Sequence, residues 1–380
     1  MHVIVIGTGI VGSSVAYECA KAGAKVTVFD AGRIGGGASS VSFAWTNATG
    51  KSPRSYFDLN VAGMRAHMEL KRDFGTTPWF TQTGGFEWRT TPEGRMRLLD
   101  EGKMLKEWGY AIEWLDPNRV AEMEPDIDIA AIGNHPIAYF PEEGWIDPVL
   151  YSGWLLRTAK QRWNTEVHEH TRITDIESHG GRAIAVRSAA GERYQADAII
   201  NCAGGWATEA LGDAPALPMT STIGILAFTP PVALTLRSHF HIDDLDVRPD
   251  GAGRLMMHKV SVDRMLTKIE KLRPDGPEAT ALIEATRAAI PALKSVEVEA
   301  VRTAVRPVTA DGLTCAGESP HLAGYYVAVT HSGVTIGPYL GKAMADEVVR
   351  GKQHEALNDF RLSRFLPPKN TRKVAAAINA

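Results

Sequence analysis

The chain has 380 residues, 44% hydrophobic and 22% charged, with a formal net charge of −3. That length exceeds what one simple core holds, so two domains are expected, and the near-neutral balance gives no reason to expect nucleic acid. No apolar run approaches the ~20 residues of a membrane span and no signal peptide is expected ahead of the first motif. Cys19, Cys202 and Cys315 are scattered without metal or redox spacing, which fits a reducing cytoplasm and no metal centre.

In chain order, the unbroken apolar run at residues 3–6 reads as a strand buried on both faces, as in a parallel sheet. It runs straight into Gly7-Thr8-Gly9-Ile10-Val11-Gly12, and residues 13–22 then read as a small-residue helix. Gly7 suits the tight turn, Gly9 lets the backbone approach a pyrophosphate, and Gly12 lets helix and strand lie close. The helix N-terminus turns free amides and its positive dipole end toward a diphosphate. A second strand, residues 26–29, ends at Asp30, followed by Ala31, where a carboxylate should hold a ribose hydroxyl. Together these elements predict a bound dinucleotide, NAD or FAD.

Gly35-Gly36-Gly37-Ala38-Ser39-Ser40 follows and reads as a second phosphate-facing loop with backbone amides and the two serine hydroxyls as donors. Residues 41–47 are too aromatic for a solvated linker and could run under a flat ring. The next block loses the βαβ rhythm: a helix over 55–74, a strand over 79–88, a helix over 92–108, and a short helix capped by Asp116 with Pro117 at its first position. Residues 137–148 return to strand and turn, then a helix over 149–162 and strands over 166–170, 172–178 and 182–188 follow. His168 and His170 are expected on one face of such a strand, as exposed histidines. The apolar run at 196–202 ends in Ala203-Gly204-Gly205-Trp206, as though the backbone passes a cofactor. Strands over 219–231 and 255–265, a helix over 278–290, the stretch Val301 to Pro307, a buried strand over 325–330, and a helix over 334–349 opened by His331-Ser332-Gly333 complete the chain.

No second Gly-x-Gly-x-x-Gly follows a strand, so one dinucleotide is expected. Four separated pieces, 7–12, 35–40, 203–205 and 331–335, end strands in small residues, where open α/β sheets bind ligands. A ligand touching all four is long, which favours FAD. The order of the pieces predicts an α/β fold: a discontinuous Rossmann-type FAD-binding domain (1–50, 145–212 and 316–380) plus an α+β substrate domain with an antiparallel-rich sheet (51–144 and 213–315).

These motifs, with Arg306-Pro307-x-Thr309-x-Asp311-Gly312 and with His331-Ser332-Gly333 followed by Gly337-Pro338, resemble the D-amino-acid-oxidase-like FAD-dependent oxidoreductases, which include glycine oxidase, sarcosine oxidase and bacterial D-amino acid dehydrogenases. The resemblance spans nearly the whole chain. It implies that Gly7–Gly12, Asp30, Ala31, Gly37, Ala38, Ser39, Ser40, Ala203, Gly204, Trp206, Arg306, Ser332, Gly333, Val334 and Thr335 hold FAD, and that Val167 contacts the adenine through its backbone. Covalent-flavin members carry a cysteine shortly after the site of Arg306; Cys315 lies beyond the Asp311-Gly312 turn, so FAD is expected to be non-covalent. The implied chemistry is hydride transfer to flavin N5 from the carbon bearing the nitrogen of an amino acid or amine, giving an imine that water hydrolyses. Arg306 is the natural grip for a substrate carboxylate, with a structural ion pair as its alternative role. His331 tunes the site or closes the strand end, and His258 reaches the pocket or is a satisfied β-face histidine. Phe43 and Trp45, where relatives often have small or amide residues, leave the substrate open. The electron acceptor stays open between oxygen, a quinone and a partner subunit. A flavoprotein subunit of a hetero-oligomer is the main alternative, and a flavin monooxygenase is disfavoured for want of a second nucleotide site.

Overall fold

In the computed structural model, residues 1–133 and 135–366 are described; the last stretch of the expected 316–380 segment, 367–380, lies outside them. The central strands of a parallel sheet are runs buried on both faces, with the more exposed Glu166–His168 at one edge. Its central order is Glu166–His168, Lys25–Phe29, His2–Ile6, Ala198–Asn201 and Leu322–Val329. Strands from three distant stretches of chain thus lie side by side, which is the discontinuous Rossmann-like architecture of an FAD-binding fold. The antiparallel strands Ile173–His179, Arg182–Ser188 and Arg193–Gln195 extend one edge, and Cys315–Ser319 pairs back on Leu322–Val329.

The second sheet has eight strands in the order Ala300–Thr309, Met219–Phe228, Leu255–Lys259, Leu245–Pro249, His239–Ile242, Gly85–Trp88, Ile137–Phe140 and Glu113–Leu115. All its pairings are antiparallel except that of His239–Ile242 with Gly85–Trp88. It is the antiparallel-rich sheet of the substrate side.

Three details differ from the sequence reading. The strand over 79–88 is two strands, Phe80–Thr81 and Gly85–Trp88, in different sheets. Gly84, at φ +78° and packed on the Tyr139 ring, takes the turn between them. The strand from Leu255 stops at Lys259, and Val260–Asp263 is a helical turn that brings Asp263 back over the sheet. His168 and His170 do not share a strand face: His168 stacks on Phe29 with centroids 4.9 Å apart, while His170 sits in the following turn at φ +53°.

Close helix crossings hold the layers together. Gly341 and Gly337 of the last helix, Gly333–Arg350, lie on Ser14 and Ile10 of the first, Ile10–Lys21. A Cβ on Gly341 would come within 2.7 Å of the Ser14 backbone. The helix Arg54–Phe74 likewise sets Gly63 against the Thr335 carbonyl, so this part of the 51–144 segment shares its core with the nucleotide-side helices.

Candidate active site

The turn after His2–Ile6 is built on contacts that exclude side chains. Gly7 has φ +106°, and a Cβ there would meet the Cys202 carbonyl at 2.5 Å. A Cβ on Gly12 would sit 2.0 Å from the Gly7 carbonyl oxygen. Gly9 differs: its φ is −65°, and a Cβ would touch only the Ser39 hydroxyl at 3.0 Å. Nothing in the protein fold demands glycine there, so the open space over Gly9 belongs to the cavity it lines. Ile10 N–H donates to Ser39 Oγ (3.2 Å), while the amides of Val11 and Gly12 have no acceptor among the described residues.

Asp30 ends the second strand with both oxygens engaged. Oδ2 accepts from the Thr8 amide (2.7 Å) and hydroxyl (2.5 Å), and Oδ1 from the Gly32 amide (2.8 Å). This orients the carboxylate rigidly at the strand end and leaves Oδ1 acceptor capacity. Thr8 is therefore a buried support for Asp30.

The last helix also points its N-terminus at this space. Ser332 makes no side-chain cap, and the amides of Gly333, Val334 and Thr335 have no acceptor among the described residues. Tyr56 OH donates to Ser332 Oγ (2.8 Å) and His67 Nε2 lies 2.8 Å from the Val334 carbonyl, which pins the first turn in place.

Both helix ends open into one cavity of ≈ 1030 Å³ that runs from the glycine turn to the antiparallel sheet. Its wall includes Gly7, Gly9, Ile10, Val11, Asp30, Ala31, Gly37, Ala38, Ser39, Ala203, Gly204, Trp206, His258, Arg306, His331 and Ser332 to Thr335. Four expected positions lie behind it. Thr8 and Gly12 are buried supports, and Ser40 turns its hydroxyl onto the Gly36 and Gly37 carbonyls. Val167 pairs with Val28 in the sheet, and the wall beside it is made by residues 170–173. Phe43, Ala44, Trp45 and Asn47 do line the cavity, Trp45 being held by its indole N–H to Glu143 (2.8 Å).

Over the antiparallel sheet, Arg306 is part of a buried charge cluster. Its Nη2 lies 2.6 Å from Asp263 Oδ2, the oxygen that His258 Nε2 also reaches at 2.9 Å. His258 Nδ1 is 2.6 Å from Asp246 Oδ2, and His241 Nδ1 meets the other Asp246 oxygen. Burial alone would lower the His258 pKa, but hydrogen bonds to Asp246 and Asp263 outweigh it and raise it to about 9. Two carboxylates thus favour the charged ring, while the like charge of Arg306, whose Nη2 lies 2.7 Å from Nε2, opposes it. At the cluster's other end Glu87 is pushed up to about 7 by burial, against the attraction of His241 and Arg89. Both expected roles of His258 hold at once: it lines the cavity and its hydrogen bonds are satisfied. Arg306, too, both makes an ion pair and lines the cavity.

His331 is the opposite case. Its side chain is exposed to the cavity, where the enclosing walls and then the charges of Lys51, Arg306 and His258 lower its pKa and favour the neutral ring. Lys51 was not singled out from the sequence, nor were Glu87, His241, Asp246 and Asp263. A signal was available for Glu87, which interrupts an otherwise apolar strand, where a charge needs a partner. Lys51 follows a strand of only two residues and carries no pattern.

A turn that admits a diphosphate, an oriented acid at the second strand, two helix N-termini and a long cavity define a dinucleotide-dependent enzyme. The family described as FAD dependent oxidoreductase matches residues 2–347, and the chain belongs to that family. It is 24% identical over 378 residues to the glycine oxidase of Geobacillus kaustophilus (strain HTA426), covering 96% of this chain and 97% of that one. The solved structure of glycine oxidase from Geobacillus kaustophilus superposes with a TM-score of 0.83 at 23% identity, over 95% of this chain and 98% of that one. L-proline dehydrogenase from P. horikoshii gives 0.84 at 20% identity, over 96% and 97%. The protein is an FAD-dependent oxidoreductase of the D-amino-acid-oxidase-like group. Among the described residues no helix is long and apolar enough to cross a membrane.

Proposed function

We propose that this enzyme oxidises the C–N bond of a small amino acid, holding FAD non-covalently along the cavity and the substrate carboxylate on Arg306. The residues fit the cofactor. The clearance over Gly9 and the free amide of Val11 suit the diphosphate, Asp30 Oδ1 suits the ribose, and the amides of Gly333 to Thr335 suit an electron-rich ring edge. Cys202, the cysteine on the cavity wall, is held as the thiol by burial, and burial pushes the buried Cys315 up to about 12, which supports non-covalent binding. FAD, when bound, supplies the two-electron acceptor. We take its domain to comprise 1–50, 145–212 and 316–380.

The observation that carries the reading is a guanidinium opening into the same cavity as the start of the last helix, with neutral His331 between the two elements in sequence. Asp263 orients the guanidinium, whose remaining N–H groups donate to a substrate carboxylate in a fork. Around the substrate nitrogen, Arg306 and the His258 cation disfavour an ammonium, so the amine is held neutral without a dedicated base. The similar proteins glycine oxidase and L-proline dehydrogenase are named for amino-acid substrates, in keeping with this. The test is anaerobic bleaching of the FAD-loaded protein by D- and L-amino acids, N-methyl amino acids and the corresponding decarboxylated amines. Bleaching by an amino acid at lower concentration than its amine is expected; a preference for the plain amine would refute it.

A further inference from the structure

Lys51 stands out among the cavity's cations that are not fully exposed, because no described residue pairs with it. Arg306 is paired with Asp263, His258 lies between Asp246 and Asp263, and Arg89 meets Glu87. Lys51 makes no hydrogen bond or ion pair with any described residue, yet it lines the cavity and is enclosed enough for burial to lower its pKa. The acid whose field it feels, Glu143, is already committed. Its Oε1 takes the Tyr110 hydroxyl (2.6 Å) and its Oε2 the Trp45 indole N–H (2.8 Å), with His239 3.4 Å from Oε2. The Lys51 backbone is fixed on both sides: the Gly50 amide donates to Glu101 Oε1 (2.9 Å), and Pro53 caps the helix Arg54–Phe74. A desolvated ammonium on an anchored loop, without an internal counter-ion, is unfavourable unless a ligand supplies the anion.

Its place relative to Arg306 decides which anion. His331 is within the electrostatic reach of both Lys51 and Arg306. The two cations come from separate elements, the loop before Arg54–Phe74 and the strand Ala300–Thr309, and both open into the one cavity. Resting on the amino-acid reading above, we propose that Lys51 binds a second substrate carboxylate and that the enzyme prefers dicarboxylic amino or imino acids. One carboxylate sits on Arg306 and the other on Lys51, with the C–N bond between them beside His331. An incoming carboxylate also raises the Lys51 pKa, so dianion affinity falls as pH rises through the free-enzyme pKa of Lys51.

The test uses the FAD-loaded protein and two readouts. Flavin absorbance is titrated with unreactive glutarate and succinate against butyrate and propionate, and anaerobic bleaching compares glutamate with norvaline and aspartate with 2-aminobutyrate, in both hands. The wild type is expected to bind the dianion of each pair more tightly. Lys51→Met should weaken dicarboxylate binding by about ten- to hundredfold while changing monocarboxylate binding by less than about twofold. Lys51→Arg should keep the preference, and Lys51→Gln should lose it if the methionine variant is unstable. A Lys51→Met protein that discriminates as the wild type does, or that loses FAD and not discrimination, overturns the proposal. If no amine bleaches the flavin, the amino-acid reading fails, while the glutarate titration still reports on Lys51.

Discussion

Gly224 offers a way to move Arg306 without removing it. Gly224 pairs with Ala304 across the ladder between Met219–Phe228 and Ala300–Thr309, and Arg306, two residues on, lays its guanidinium over the bare position. A Cβ on Gly224 would lie 2.5 Å from Nε, 2.9 Å from Nη2 and 3.0 Å from Cζ. Ordinary contact is about 3.5 Å, so Gly224→Ala must lift the guanidinium by roughly 1 Å. The moving atoms end a flexible side chain, and alanine is no worse than glycine in a strand, so folding and FAD content should persist. The 2.6 Å contact to Asp263 and the aim of the fork should not. A charge-assisted contact is worth roughly 1.5–3 kcal/mol, so its partial loss predicts about tenfold weaker substrate binding, and a 1 Å misplacement can cost about hundredfold in rate. The assay is anaerobic titration of Gly224→Ala and Arg306→Met with the best amino-acid substrate, followed at the flavin bands. Unchanged affinity in Gly224→Ala, with its FAD spectrum intact, would refute Arg306 as the carboxylate grip.

Gly9→Val should give a folded apoprotein, because its side chain enters only the cavity and meets the Ser39 hydroxyl, whereas Gly12→Ala, aimed at the Gly7 carbonyl at 2.0 Å, should fail to accumulate folded; FAD content and far-UV circular dichroism separate the two. His258 has its folded pKa raised to about 9 from an ordinary 6.5, so its stabilisation is complete below about 6.5 and is lost as pH rises through about 9. The melting-temperature advantage of wild type over His258→Gln should therefore shrink from pH 6.5 to above 9, and an advantage that grows with pH would show the histidine is held neutral. Gly341→Ala, forced onto the Ser14 backbone at 2.7 Å, should lower stability by about 1–3 kcal/mol in urea unfolding, and an unchanged midpoint would contradict so close a crossing.

Local chemistry was legible wherever the chain meets the ligand space through its own backbone. The strand His2–Ile6, its three glycines and Asp30 occupy one continuous stretch, so each task could be assigned from spacing, and the structure puts a carbonyl where a Gly7 or Gly12 side chain would fall. The opening of the last helix at Gly333 was legible for the same reason. Arg306 could be named but not its surroundings. Asp263 reaches it because Val260–Asp263 turns back over the sheet, and His258 because of strand pairings that sequence pattern does not specify. The two-sheet split at Gly84 escaped because a run of strand-forming residues reads alike whether it stays in one ladder or changes ladder. Lys51 escaped because isolation is a property of space: a lysine becomes a half-buried, unpaired cation only when loops distant in sequence close around it and leave their carboxylates engaged elsewhere.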